Sequence, residues 1–393
     1  MQHQINTLTQ SLQPYPAEQL RKLTQQRQAQ GLPIYNFGTG DPRIPLWPKI
    51  NQAIAQQLPE ISQYPSILGS QALNNAQRNH LQRRYHLNDK KMSHIMTLPT
   101  RGSKEAIFHI ALSLVEPGKR DNIYYPEPGY PVYRSSVLFA RGTPQPYTLN
   151  EGNNYLWEPW NTKGLNTDKI AAVWVNYPHN PTGRSVEGPY WEKLCSWCAT
   201  HGIVLLSDEC YTDIYPASQP IPESPLQYQT SGVLSFLSLS KRSGLTGHRI
   251  GYIAGDQDIL AAHARARAHF GLGQPIFMEQ AAILAWEDEQ HVCSRREVFN
   301  HRIDIAYHKL TQAGFHLRKP QGGFYLWVQV PSSYGENDIQ FCRDIAAKGV
   351  LTTPSSWMGE NTRGWFRLSM VESLERTEEA MDILSTHYGR KAD

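Results

Sequence analysis

Short apolar runs separated by helix-favouring stretches restrict the fold more than any other feature of this chain. The runs are Asn122-Ile-Tyr-Tyr125, Ala171-Ala-Val-Trp-Val175, Gly202-Ile-Val-Leu-Leu206 and Val233 to Leu239, with a helical pattern over Tyr190 to Thr200. Such runs, lacking polar alternation, read as strands buried on both faces. Strands of that kind joined through helices predict a mostly parallel sheet covered by helices, an α/β architecture. Further helices are expected over Ala17 to Gln30, between Pro16 and Gly31, and over Lys104 to Val115, ended by Pro117-Gly118. From about Gln290 the pattern changes: a long helix through Arg295 to Leu310, a strand over Gly322 to Val328, then helix, strand and closing helix. That part reads as a smaller α+β domain. The expected division is 1–48 as an N-terminal arm and part of the small domain, 49–288 as the large domain and 289–393 as the small C-terminal domain.

A chain of 393 residues can bury a sizeable core in two or three domains. Its net charge of +3 is spread without a basic stripe, so no nucleic-acid partner is expected. MQHQINTLTQ has no basic region leading an apolar run, and nothing approaches the roughly eighteen uncharged apolar residues of a membrane span. A cytoplasmic protein with no membrane partner is the expectation. The five cysteines fit free thiols in a reducing compartment. Cys195 and Cys198 form a C-x-x-C, but no second pair completes a metal site. They share a helix face with Trp191 and Leu194, which points to core packing.

Each central strand end carries chemistry. Asn176-Tyr-Pro-His-Asn-Pro-Thr-Gly183 follows the second run, Ser207-Asp-Glu-Cys-Tyr211 the third, and Ser240-Lys241 the fourth. Asn-Pro-Thr-Gly alone is a good turn, and an aspartate after a strand is a good helix cap. Their joint placement at strand C-termini points to a ligand site, because ligands of open α/β sheets bind there. A lysine beside Ser238, Ser240 and Arg249 is then a candidate Schiff-base nucleophile.

The ordered set N-P-T-G, S-D-E-x-Y and S-L-S-K-x-x-x-x-x-G-x-R-x-G-Y resembles the fold type I, pyridoxal-phosphate-dependent aminotransferases, over essentially the whole chain. The resemblance implies pyridoxal 5'-phosphate as cofactor, amino acids and keto acids as substrates, and a homodimer with shared active sites. Lys241 would bind the cofactor covalently and move the substrate proton; its amine must then be neutral well below the usual value of about 10.4. Asp208 would hold the pyridine nitrogen protonated, a task for a carboxylate rather than an amide. Asn180 and Tyr211 would hydrogen-bond the ring O3′, and Tyr130 would stack on the ring. Arg249 and Ser238 would grip the phosphate. Arg101-Gly-Ser-Lys104 supplies a second cradle, Gly102, Ser103 and Lys104 opening a helix whose N–H groups face the anion. Arg367 and Gly40 would take the substrate α-carboxylate, Arg367 as a planar fork. Tyr64 would reach the neighbouring subunit's phosphate, and Arg43, just past Gly40, could meet a distal carboxylate.

Leu12-Gln-Pro-Tyr-Pro-Ala-Glu-Gln-Leu-Arg21, Ser-Leu-Ser-Lys-Arg-Ser243 and Trp286-Glu-Asp-Glu-Gln-His-Val292 are most similar to succinyldiaminopimelate aminotransferases of lysine biosynthesis. That implies amino transfer from glutamate to N-succinyl-2-amino-6-ketopimelate. Gly-Thr-Gly-Asp-Pro42 departs from the usual Gly-Glu-Pro at an edge that helps set substrate choice. The alternatives are a general aspartate or aromatic aminotransferase and a C–S lyase of the same fold. The effector module of a transcription regulator lacks support, since no helix-turn-helix or basic extension precedes Gln13.

Overall fold

The computed structural model describes residues 5–12, 15–58 and 63–389. The remainder lies outside that description, including the first four residues of MQHQINTLTQ and the Gln13-Pro14 pair of the Leu12–Arg21 motif.

The strands, in chain order, begin with β1 (Tyr35–Asn36). The main sheet is built from β2 (Ile95–Thr100), β3 (Asn122–Glu127), β4 (Thr143–Thr148), β5 (Ile170–Val175), β6 (Val204–Asp208), β7 (Val233–Ser238) and β8 (Gly251–Asp256). β9 (Tyr325–Gln329), β10 (Val350–Leu351), β11 (Thr353–Pro354) and β12 (Trp365–Ser369) follow. The main sheet runs β2-β8-β7-β6-β5-β3-β4. Only β8 runs against its neighbours β2 and β7; the other pairings are parallel.

The apolar runs form the middle of this sheet because they are buried on both sides. Every residue of β5 and β7 is buried. Val173 and Val175 face one core with Trp191, Leu194, Cys195 and Cys198 of helix Gly188–Thr200. Ala172 and Trp174 face the other, with Ile107 and Ile110 of helix Ser103–Leu114. Burying one such large side chain is worth about 1.5–3 kcal/mol. The C-x-x-C pair is therefore part of a core, and burial pushes the Cys195 thiol up to about 12, away from thiolate chemistry.

The structure also contains helices that the sequence pattern did not single out: Pro48–Gln56, Gln71–Tyr85, Gln257–Phe270 and Ile276–Glu287. Gln71–Tyr85 shows the reason. Its composition is mainly polar, yet Leu73, Ala76, Gln77, His80, Leu81 and Tyr85 make one buried stripe at helical spacing. Ser70 caps it, accepting from Leu73 N at 3.2 Å.

The C-terminal strands form an antiparallel sheet ordered β11-β12-β9. β1 pairs in parallel with β10, Tyr35 beside Val350. Phe37 packs with Ile303, Leu326, Phe366 and Leu368. Residues 35–37 are thus built into the C-terminal core, and just beyond them the Gly40 carbonyl meets Lys241 past the end of β7. Among the described residues, no helix is long and apolar enough to cross a membrane.

Candidate active site

Three neighbouring parallel strands end at one cleft of about 480 Å³. β5 delivers Asn176, whose Nδ2 donates to the Asp208 carbonyl at 2.7 Å while its Oδ1 accepts from Asn180 N at 2.8 Å. One amide therefore fixes both the Asn-Pro-Thr-Gly turn and the end of β6. Asp208 is that end. Its carboxylate accepts from Tyr133 Oη at 2.7 Å and from Cys210 N at 3.2 Å. Burial pushes its pKa up, against the opposing pull of Cys210, Tyr133 and Lys241.

After β7 the chain turns into a single helical turn, Leu239–Arg242, capped by Ser238 Oγ accepting from Ser240 N at 3.1 Å. Lys241 sits in that turn, and its Nζ donates to the Gly40 carbonyl. Its environment lowers its pKa to about 8: burial dominates, Arg367 and Arg249 add to it, and Cys210 and Asp41 oppose. A lysine so held gives up its proton more readily than an exposed one.

At one end of the cleft, Gly102 precedes helix Ser103–Leu114 with φ +73°. The positive φ favours glycine, and a Cβ there would lie 2.6 Å from Arg249 Nη2 and push that side chain aside. Arg249 itself has φ 55°, held by Nη1 donating to the Thr246 carbonyl at 2.8 Å. Ser103, Lys104, Ser238 and Arg249 line the cleft; Gly102 stands behind Arg249. Thr100 Oγ1 is buried without a partner.

The opposite wall comes from the C-terminal sheet. On β12, Arg367 donates from Nη1 to Asn180 Oδ1 at 3.0 Å and from Nη2 to the Gly38 carbonyl at 2.9 Å and Thr353 Oγ1 at 3.3 Å. Its guanidinium lies 4.6 Å from the centre of the Tyr325 ring. Tyr325 Oη is 3.0 Å from Tyr211 Oη, and Asn180 Nδ2 donates to Tyr211 Oη at 3.5 Å. Burial pushes both phenols up, so both remain protonated donors. Tyr130 lines the cleft, edge-on to Tyr133 at 5.8 Å.

The structure thus brings together Lys241, Asp208, Asn180, Tyr211, Tyr130, Ser238, Arg249, Ser103, Lys104, Gly40 and Arg367. Gly102, Arg43 and Tyr64 are outside the lining. Arg43 is a correction: Nη1 pairs with Glu372 Oε1 at 2.5 Å, outside the cleft lining, because Glu372 already ties down this segment by accepting from Asn36 N at 2.8 Å. Tyr64 is fully exposed and outside this chain's own lining, where a residue expected to reach a neighbouring subunit's phosphate need not stand. Sequence reasoning missed Tyr133, Asn176, Tyr325 and Thr353. For Tyr325 a signal existed: it alternates with the apolar Phe324 and Leu326 in a strand already identified.

Residues 33–384 match the aminotransferase class I and II family. The chain belongs to the class I and II aminotransferases. This aminotransferase is 32% identical over 376 residues to the LL-diaminopimelate aminotransferase of Aquifex aeolicus, which covers 94% of this chain and 96% of that one. It is 31% identical over 373 residues to LL-diaminopimelate aminotransferase 2 of Trichormus variabilis, covering 94% of each. Among solved structures, apo-BacF of Bacillus subtilis superposes with a TM-score of 0.91 at 25% identity, covering 98% of this chain and 99% of that one.

The fold is accordingly fold type I, and the family uses pyridoxal 5'-phosphate. The residues here fit that group. Among the described residues, the buried carboxylate at the end of β6 has no cation at hydrogen-bonding distance, and Ser103, Ser238 and Arg249 gather at one end of the cleft as an anion would require. The cleft volume also lies in the usual range for cofactor sites.

Proposed function

We propose that this aminotransferase moves an amino group between glutamate and the diaminopimelate skeleton, with the free amino-acid end of LL-diaminopimelate as its far-end partner. The observation that carries this reading is the set of charged side chains lining the cleft: Asp41, Lys104, Asp208, Lys241, Arg249 and Arg367. Lys241, Asp208, Arg249 and Arg367 have tasks at the cofactor and the α-carboxylate. Asp41 and Lys104 remain, one of each sign. A free amino-acid end carries one ammonium and one carboxylate and suits such a pair; a succinylated end carries two carboxylates and no ammonium, and Asp41 would repel it. Arg43, the cation expected to favour a succinylated substrate, is engaged by Glu372. The names of the Aquifex and Trichormus relatives support the same choice.

Pyridoxal phosphate, when bound, supplies the electron sink that acidifies the substrate Cα–H. Lys241 Nζ would anchor it and, as a neutral amine, would carry the proton to and from that carbon. Asp208 would hold a proton on the ring nitrogen. Tyr211 and Asn180 would bond the ring oxygen, and Tyr130 would cover the ring face. Ser238, Arg249 and the N–H groups of Gly102, Ser103 and Lys104 would hold the phosphate. That use of its backbone leaves the Lys104 ammonium, which lies 3.9 Å over the Tyr15 ring, for the substrate's far carboxylate. Arg367 grips the α-carboxylate as a two-pronged donor, and Gly40 flanks it. The assembly we propose is a homodimer, supported by the exposed apolar side chains of Tyr64, Leu68 and Ile276. We also keep the division into a large body over 49–288 and a small one formed from 1–48 and 289–393.

The test uses 2-oxoglutarate as acceptor, with LL-diaminopimelate and its N-succinyl derivative as competing donors. A higher kcat/KM for the free compound, lost in Asp41→Asn, is expected. Preference for the succinylated donor would return the assignment to the succinyl enzymes.

A further inference from the structure

A second cavity, of about 230 Å³, shares no lining residue with the cleft yet adjoins the carboxylate clamp. Trp327, in its wall, is the cross-strand partner of Arg367, and Trp365 lies two residues before Arg367 on β12. Thr182 and Gly183, just after Asn180, complete the connection.

Its charges do not balance. Arg184, Arg318 and Lys319 line it against a single carboxylate, Glu151. Lys319 is matched by Asp304 at 2.6 Å, and Arg318 by Glu151 at 3.2 Å. Arg184 is the one left over: among the described residues its guanidinium meets no carboxylate. Its Nη1 donates to Gln321 Oε1 at 2.6 Å, and its Nε is buried with no partner. The guanidinium charge is left uncompensated by any carboxylate among the described residues, so an anion entering this cavity meets a partner there. A carboxylate matches the planar guanidinium better than a point anion does. Beside it, the Trp327 and Trp365 rings stand within 3° of parallel, centroids 5.9 Å apart, and form a flat apolar wall. The volume equals roughly eight waters at about 30 Å³ each, the scale of a single ring bearing one carboxylate.

We propose that this cavity is a second binding site, taking a small aromatic carboxylate with Arg184 as its charge partner. The site stands apart from the choice of amino donor. Benzoate is the probe, titrated calorimetrically into the cofactor-loaded enzyme carrying Arg367→Ala, which removes the carboxylate clamp of the active cleft. Saturable one-to-one binding is expected, with inorganic phosphate binding more weakly. Adding Arg184→Gln should weaken benzoate by roughly tenfold or more, while Arg184→Lys should restore part of the loss. Trp365→Leu should weaken it without removing the charge partner. Melting temperatures of each variant separate lost binding from lost fold; if Arg184→Gln unfolds, the Arg184→Lys and Trp365→Leu titrations decide. Absence of binding in Arg367→Ala, or affinity unchanged by the Arg184 and Trp365 substitutions, would overturn the proposal.

Discussion

Asp208, Asn180 and Lys241 reach the cleft from the ends of neighbouring parallel strands, whereas Arg367 and Tyr325 reach it from two antiparallel strands of another sheet. The two sides hold their groups differently. On the main-sheet floor, Asp208 is fixed by Tyr133, Asn176 and Cys210, all from that sheet and its connections. On the wall, Arg367 is fixed by residues far away in the chain, Gly38 and Asn180. The floor is arranged for cofactor chemistry that every substrate shares. The wall would meet the α-carboxylate, and it is assembled only when distant segments come together.

Substitutions should separate the two sides. Asp208→Asn is the largest test: it is nearly isosteric, so the fold should persist, while turnover falls by orders of magnitude for every substrate, several kcal/mol in barrier terms. Near-normal turnover would move the role off the floor. Arg367→Lys should cost about 1.5–3 kcal/mol in kcat/KM in both half-reactions, through loss of the two-pronged donor, with the cofactor's spectrum unchanged. A changed spectrum there would blur the comparison.

Tyr325→Phe sharpens it, because Tyr325 touches both sides. The ring under Arg367 remains, so KM for glutamate should hold. The hydrogen bond to Tyr211 is lost at about 0.5–1.5 kcal/mol, and the pH at which the bound cofactor changes colour should shift. A change in KM with no spectral shift would place Tyr325 wholly on the wall.

A further effect concerns the cofactor-free protein. The Lys241 pKa falls from the usual 10.5 to about 8 in the fold. Between those values the unfolded chain binds more protons than the folded one, so this residue's contribution makes stability rise with pH across that window. Urea titrations of wild type and Lys241→Met should therefore diverge as pH climbs from 8 towards 10.5, with the wild type gaining. Parallel curves would mean that the amine is not perturbed by its surroundings.

The same contrast explains what could be read in the sequence. Strand-end groups were legible because apolar run and chemical residue are adjacent: Val175 leads to Asn176-Tyr-Pro-His-Asn180, Leu206 to Ser207-Asp208, and Leu239 to Ser240-Lys241. Arg367 was legible only through its motif. Tyr325 showed only as a tyrosine between Phe324 and Leu326 in a strand, since its two contacts, Tyr211 and Arg367, are set by folding rather than by spacing. Arg43 failed for the converse reason. Its position beside Gly40 suggested the cleft, but a carboxylate 329 residues away takes it. The helix Gln71–Tyr85 was obscured by composition, because its buried stripe includes Gln77 and His80, which do not read as core residues.

The central claim is that one lysine, at the end of β7, holds the cofactor and carries the proton. It is tested most directly by hydride reduction of the cofactor-loaded enzyme, proteolysis and peptide mass mapping. The reduced adduct is expected on the peptide containing Lys241, with none formed in Lys241→Ala. An adduct on Lys104, the other lysine lining the cleft, would contradict it.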